Sequence, residues 1–335
     1  MSEYFKEIIS QSKQAARAMM KLSAEDRSKI LMNISGFLLT HKDDILKANQ
    51  IDVERAKSNN LSEPMINRLI LTSEKIDHLS RDVEKIAQMP DPLNQELEIW
   101  DNPSNGLRFS KVSVAIGVIG IIYESRPNVT IDAASLCLRS GNVSILRGGS
   151  ECIETNRKLY ECIQKALKDL DFSPYLVCFI SDTDRSFVQE LLQAEGDIDV
   201  IIPRGGKSLI QTISENSKVP TLKHLEGICH TVWDQGYDKD HAATVITNAK
   251  LRRPEICGAT ETLLIHKDHT TENISYVLDQ LKSHGCEIIG CERLQEIYTI
   301  DRLATEEDWA TEYLDKKISV KIVENIEESV DHINQ

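Results

Sequence analysis

One cysteine in this sequence has the surroundings of a nucleophile. Cys257 lies in KLRRPEICGATETLLIH (250–266), where Pro254 and Gly258 break regular structure and a strand-like run, ETLLIH, follows. A thiol attacks only as a thiolate; Arg252 and Arg253 would favour that form and attract an anionic substrate. The other cysteines that can be placed look different. Cys137, Cys162 and Cys178 fall in amphipathic or apolar segments and read as core, and Cys286 and Cys291 flank a short strand without basic neighbours. The competing reading of Cys257 is an inert buried residue, so its role depends on what else the chain carries.

Three loops carry further chemistry: YESRPNVT (123–130), LRGGSE (146–151) and PRGGKS (203–208). The last two each place Arg-Gly-Gly after a strand and before a helix. Glycine lets the backbone approach a ligand closely, and a helix N-terminus offers unpaired N–H groups to an anion. The arginine adds a fixed positive charge. Two such loops in one sheet suggest a phosphate-bearing cofactor across the strand ends; either loop alone is equally well read as a tight turn. Neither G-x-G-x-x-G nor G-x-x-x-x-G-K-[ST] occurs, so the standard dinucleotide fingerprint and the P-loop are unsupported.

The elements that must position these loops follow from periodicity. Residues 1–95 read as helical, with Ile30, Ile34, Phe37 and Leu38 on one face behind Ser23, and Ile76, Leu79, Val83 and Ile86 on another behind Thr72. The stretch 96–113 reads as a β-hairpin around Asn105-Gly106. From 114, apolar strands (VAIGVIGII, VSIL, LVCFI, DVIIP and HTVW) alternate with helices, which predicts a parallel sheet with ligands at the carboxyl ends of its strands. A smaller α/β run follows. The expected division is 1–95 with 114–235 as a cofactor domain, 96–113 as a hairpin, and 236–335 as a second domain.

Bulk properties exclude several classes. The charge of -14, with 39 basic against 53 acidic residues and no basic block, argues against a nucleic-acid or anionic-membrane surface. VAIGVIGII is too short to span a bilayer, and the N-terminus lacks the pattern of a secretory signal. Eight cysteines with no C-x-x-C and no zinc spacing read as reduced cytoplasmic thiols, with no metal expected.

GVIGIIYESRPNVTIDAASLCLRSGNVSILRGGSE, IIPRGGKSLI, HLEGICHTVWD and RRPEICGATETLLIH, in this order, closely resemble the gamma-glutamyl phosphate reductase family of the aldehyde dehydrogenase superfamily. The resemblance runs from the N-terminal helices to the last residues. It implies an aldehyde dehydrogenase-like α/β fold: a parallel-sheet cofactor domain, a smaller α/β catalytic domain, and an oligomerisation flap at 96–113. It implies NADPH-dependent reduction of L-glutamyl 5-phosphate to L-glutamate 5-semialdehyde and phosphate, through a thioester on Cys257, in proline biosynthesis. Asn128 falls where a side-chain amide helps hold the oxyanion. Arg147, Gly148, Ser150, Gly205, Gly206, Leu209 and Leu225 fall at cofactor-contacting positions. Ser150 stands where NAD-preferring relatives often carry a glutamate, so a 2′-phosphate is accommodated. Ser125, Arg126 and Arg253 are candidates for substrate contacts.

The superfamily's hydrolytic glutamate is replaced by His224, with Glu226 two residues on, as suits an enzyme that must not hydrolyse its thioester. Gly258 stands where the family usually has Asn. The family pattern also continues past VDHINQ, with a segment that completes the catalytic domain, holds the nicotinamide ribose and adds a strand to the oligomerisation sheet. Homo-oligomerisation through the hairpin and a functional association with glutamate 5-kinase are further implications. The alternative is a catalytically silent member that binds nucleotide or a partner subunit.

Overall fold

The computed structural model describes every residue except His224, Leu225 and Glu226, and every side chain among those except Pro64 and Lys207. The chain divides into two compact units, Met1–His224 and Leu225–Gln335.

The first unit opens with five helices: α1 (Glu3–Met19), α2 (Ala24–Thr40), α3 (Lys42–Ser58), α4 (Glu63–Leu69) and α5 (Ser73–Gln88). Their starts are chemically specified. Ser23 and Asp26 form a reciprocal capping box on α2, and Thr72 accepts from the Lys75 N–H on α5. Ile30, Ile34 and Leu38 are fully buried one turn apart, worth about 1.5–3 kcal/mol each by transfer from water. Phe37 is only partly buried at the edge of that core.

The hairpin is β1 (Glu96–Asp101) with β2 (Arg108–Val112), antiparallel, closed by Gly106 at φ +70°. Every residue of both strands is exposed, and Trp100 stacks on Phe109 with ring centroids 5.3 Å apart.

Next come β3 (Val118–Tyr123), α6 (Val129–Arg139), β4 (Val143–Arg147), α7 (Ile153–Asp169), β5 (Val177–Phe179), α8 (Ser186–Leu192), β6 (Val200–Arg204) and α9 (Lys207–Asn216). The four strands form a parallel sheet in the order β5-β4-β3-β6. All six residues of β3 are buried, as a central strand covered on both faces requires. The chain runs outward from β3 through β4 to β5, then returns to add β6 on the other side. That reversal opens a crevice at the carboxyl end of β3, where the three motif loops converge.

The second unit holds β7 (Cys229–Trp233), α10 (Lys239–Leu251), β8 (Thr260–His266), α11 (Thr271–Ser283), β9 (Glu287–Gly290), α12 (Glu292–Gln295), β10 (Arg302–Leu303), α13 (Glu306–Trp309), β11 (Lys317–Val323) and α14 (Ile326–Asn334). Its parallel sheet runs β10-β9-β11-β8-β7. One sequence expectation is corrected here. HTVW, read as the last strand of the first sheet, lies in β7 and pairs with β8, Thr231 opposite Leu263 and Trp233 opposite Ile265. The second unit therefore begins before this strand and not near residue 235. An apolar, β-branched strand looks the same whichever sheet accepts it.

A small aromatic cluster joins β7 to α14. His332 meets the edges of His230 and Trp309, each 5.4 Å away, and its Nδ1 lies 3.4 Å from Lys321 Nζ. Burial, then the charge of Lys321 and the proximity of His230, pull the His332 pKa down to about 4. Its ordinary value is about 6.5, so the unfolded chain takes up the proton first as pH falls. The stabilisation is complete above about pH 6.5 and disappears as pH drops through about 4. Melting temperature measured across that window is expected to decline, and His332→Leu is expected to flatten the decline.

Candidate active site

The crevice of the first unit is a cleft of about 930 Å³ at the carboxyl ends of β3 and β4, within the size range of cofactor sites. Ser125, Arg147, Ser150 and Leu209, singled out in the sequence, share its wall. Arg147 ends β4. Its guanidinium donates to the Gly148 and Thr183 carbonyls, each at 3.0 Å, and its Nε is buried without a partner among the described residues. Burial lowers the Arg147 pKa; the Glu151 carboxylate opposes the shift and the like charge of Arg185 adds to it. The group stays cationic, with an unspent Nε donor that an anion would satisfy.

The loop around it is tight. A Cβ at Gly148 would meet Asn156 Nδ2 at 2.2 Å and the Tyr123 ring at 3.0 Å, so only glycine lets this backbone pack inward. Gly148 thus faces the interior, and Gly149 lines the cleft. Ser125 adopts φ +47°, an unusual conformation for a residue with a side chain. It is held there by one carboxylate oxygen: Glu151 Oε1 accepts from the Ser125 N–H at 2.6 Å and from its hydroxyl at 2.8 Å.

Gly205 and Gly206 sit in the turn before α9, and Gly206 is its N-cap. The Gly206 N–H donates to Glu124 Oε2 at 2.9 Å, so a carboxylate already occupies this positive helix end. A Cβ at Gly205 would lie 2.5 Å from that oxygen. Leu225 lies outside the described residues, as do His224 and Glu226.

Asn128 caps α6 through its backbone alone. One N–H of its side-chain amide donates to Asp132 Oδ2 at 2.8 Å, fixing the amide plane. Arg126 is exposed on the same loop.

In the second unit, Cys257 occupies a turn between α10 and β8. Of the eight free cysteines it alone is exposed; five are buried, and Cys229 and Cys291 are half-buried. The turn is internally braced by the Ile256 N–H on the Arg253 carbonyl at 3.3 Å and the Ala259 N–H on the Ile256 carbonyl at 3.0 Å. The Cys229 thiol donates to the Cys257 carbonyl at 3.2 Å. Arg253 is exposed, with Nε 3.6 Å from Glu255 Oε1. Solvent screening leaves that pair little net value, so the arginine is available to another anion.

Sequence reasoning missed Arg55, Arg185, Glu124 and Glu151, all of which line the cleft. Glu124 and Glu151 lie inside the quoted motifs, so their position was the signal. Arg55 belongs to α3, whose periodicity speaks only of packing, and Arg185 precedes α8 on a loop without glycine.

These features have counterparts in known proteins. The model of the aldehyde dehydrogenase family matches residues 2–286, and the chain belongs to that family. The gamma-glutamyl phosphate reductase of Thermodesulfovibrio yellowstonii is 40% identical over 325 residues, covering 97% of this chain and 78% of that protein. The protein of the same name from Caldanaerobacter subterraneus subsp. tengcongensis is 43% identical over 324 residues, covering 97% and 78%. A crystal structure of gamma-glutamyl phosphate reductase from Thermotoga maritima matches with a TM-score of 0.91 at 38% identity, covering 98% of this chain and 79% of that one. Within the family, the chain falls in the gamma-glutamyl phosphate reductase branch. The α/β fold with parallel sheets expected from the sequence is the aldehyde dehydrogenase fold. Among the described residues, no helix is long and apolar enough to cross a membrane, and no group of three or more His, Cys, Asp or Glu could hold a metal ion.

Proposed function

We propose that this protein reduces L-glutamyl 5-phosphate to L-glutamate 5-semialdehyde and phosphate, using NADPH. The observation that carries the reading is the Cys257 turn: one exposed thiol, braced between a helix and a strand, in a chain whose other cysteines are partly or wholly covered. The similarity to reductases of that name over 97% of the chain supports the substrate.

The Cys257 thiolate attacks the acyl carbon, and phosphate departs with the electrons of the C–O bond, leaving a thioester. Asn128 serves as an oxyanion donor. The chemistry that NADPH would supply, when held in the cleft of the first unit, is a hydride to the acyl carbon. The Cys257 sulfur is then expelled as thiolate, ready for the next turnover, and the aldehyde is released. Ser125, Arg126 and Arg253 are the proposed contacts for the carboxylate and phosphate of the substrate.

The cleft fits the cofactor on the chain's own terms. Arg147 has an unpaired buried Nε, and Ser150 lines the same cleft. These two would hold a 2′-phosphate. Leu209 lines the cleft and would face the pyrophosphate, Gly205 and Gly206 would do so only once the Glu124 carboxylate leaves the Gly206 N–H, and Leu225 is proposed for the nicotinamide end. Ser150→Glu is expected to raise the KM for NADP+ about tenfold or more, equivalent to about 1.4 kcal/mol of lost binding, with a smaller change for NAD+. Steady-state kinetics with both cofactors check this, and equal shifts would remove Ser150 from the 2′-phosphate site.

The exposed hairpin is proposed as a homo-oligomerisation element, because an isolated two-stranded ribbon with Trp100, Phe109, Leu97 and Ile99 in water is marginal alone. The overall reading is tested by phosphate-dependent reduction of NADP+ with glutamate 5-semialdehyde. A folded protein without that activity would favour the silent, nucleotide-binding alternative.

A further inference from the structure

The Cys257 turn spans residues 252–259, and a single ion pair closes its base. Lys250, in the last turn of α10, places Nζ 2.7 Å from Oε2 of Glu261, the second residue of β8. Neither side chain reaches solvent: their exposures are 0% and 1%. The second carboxylate oxygen of Glu261 accepts the Leu314 N–H at 3.2 Å, tying the same point to the segment that leads into β11. Leu314 itself sits at φ +52°.

Burying two charges is costly, and well-packed apolar side chains of similar volume usually join a helix to a strand at least as stably. What an apolar contact lacks is direction. A 2.7 Å charged hydrogen bond fixes the distance between the two ends of the turn, whereas a methylene contact lets them slide. The ends so fixed are those of the turn that presents the exposed thiol.

From this geometry we infer that Lys250 and Glu261 are positioning residues for Cys257: their ion pair sets the span of the turn and hence the orientation of the sulfur. The inference rests on Cys257 being the nucleophile. Neither residue touches substrate, so the expected signature is in turnover and not in binding. The Cys229 thiol on the Cys257 carbonyl is a lateral tether, but it cannot replace the closure of the base.

The test uses the full chain carrying Lys250→Met together with Glu261→Gln. This removes both charges, preserves side-chain length, and keeps an oxygen for the Leu314 N–H. Expected is a fall of about ten- to a hundredfold in kcat for phosphate-dependent NADP+ reduction, with KM for both substrates unchanged. Amide exchange should accelerate within 252–259 while β7, β8 and β11 keep their protection. Retained kcat would overturn the inference. So would exchange that spreads through the whole sheet, because the pair would then be a fold-wide support. Cys257→Ala is measured in parallel. If that variant keeps its turnover, the nucleophile reading fails, while the exchange pattern still decides whether the pair holds the turn.

Discussion

Cys257→Ala is expected to reduce phosphate-dependent turnover by at least about a thousandfold while leaving the fold and NADP+ binding intact. The size follows from covalent catalysis: without the sulfur the acyl group has no carrier, and only binding and orientation remain. The structural cost is small, because the side chain is exposed and the bonds that brace the turn are made by backbone groups of Arg253, Ile256 and Ala259. Melting temperature and cofactor titration of the purified variant separate the two effects. Wild-type turnover in the variant would exclude a thioester at this position. Substitution of Cys137 or Cys162 by alanine should give the opposite pattern. Both thiols are buried, and burial drives both pKa values up, to about 12 and about 11. Packing would suffer there and chemistry would not.

Asn128→Ala is the second large effect. Removing an oxyanion donor costs about 3 kcal/mol of barrier, or roughly a hundredfold in kcat, with little change in KM. The fold should tolerate it, because the Asn128 side chain makes no capping bond to α6. Its amide instead donates to Asp132, whose carboxyl is pushed up in pKa by burial while the amide opposes the shift. Asn128→Asp provides the control. It keeps the shape but places a carboxylate where a donor is required, so its kcat should fall at least as far. A loss confined to KM in either variant would mean that Asn128 binds substrate and does not stabilise developing charge.

Much of the architecture is legible from local patterns, because local chemistry specifies it. Ser23 before Asp26, Thr72 before a 3.6-residue stripe, and Asn105-Gly106 between two extended runs each act within a few residues. The loops YESRPNVT, LRGGSE and PRGGKS are legible for a similar reason: strand, turn and helix start are contiguous there. What stays hidden depends on distant partners. The sheet that β7 joins is decided by pairing with β8 some thirty residues on, and nothing in HTVW encodes it. Arg55 reaches the cleft from a helix that reads as packing, and Arg185 from a loop without glycine. Glu261 looked like part of a strand, yet it is one half of a buried ion pair. Short elements such as α12, β10 and α13 carry too few residues for any period to show.

The thiol itself offers the most direct test. Protein incubated with glutamate 5-semialdehyde and NADP+ in phosphate-free buffer, quenched in acid and mapped by peptide mass, should carry a glutamyl acyl group on the Cys257 peptide. Inorganic phosphate added before the quench should discharge it. An active protein that acquires no acyl group, or acquires it on Cys229 or any residue other than Cys257, would contradict the proposed chemistry.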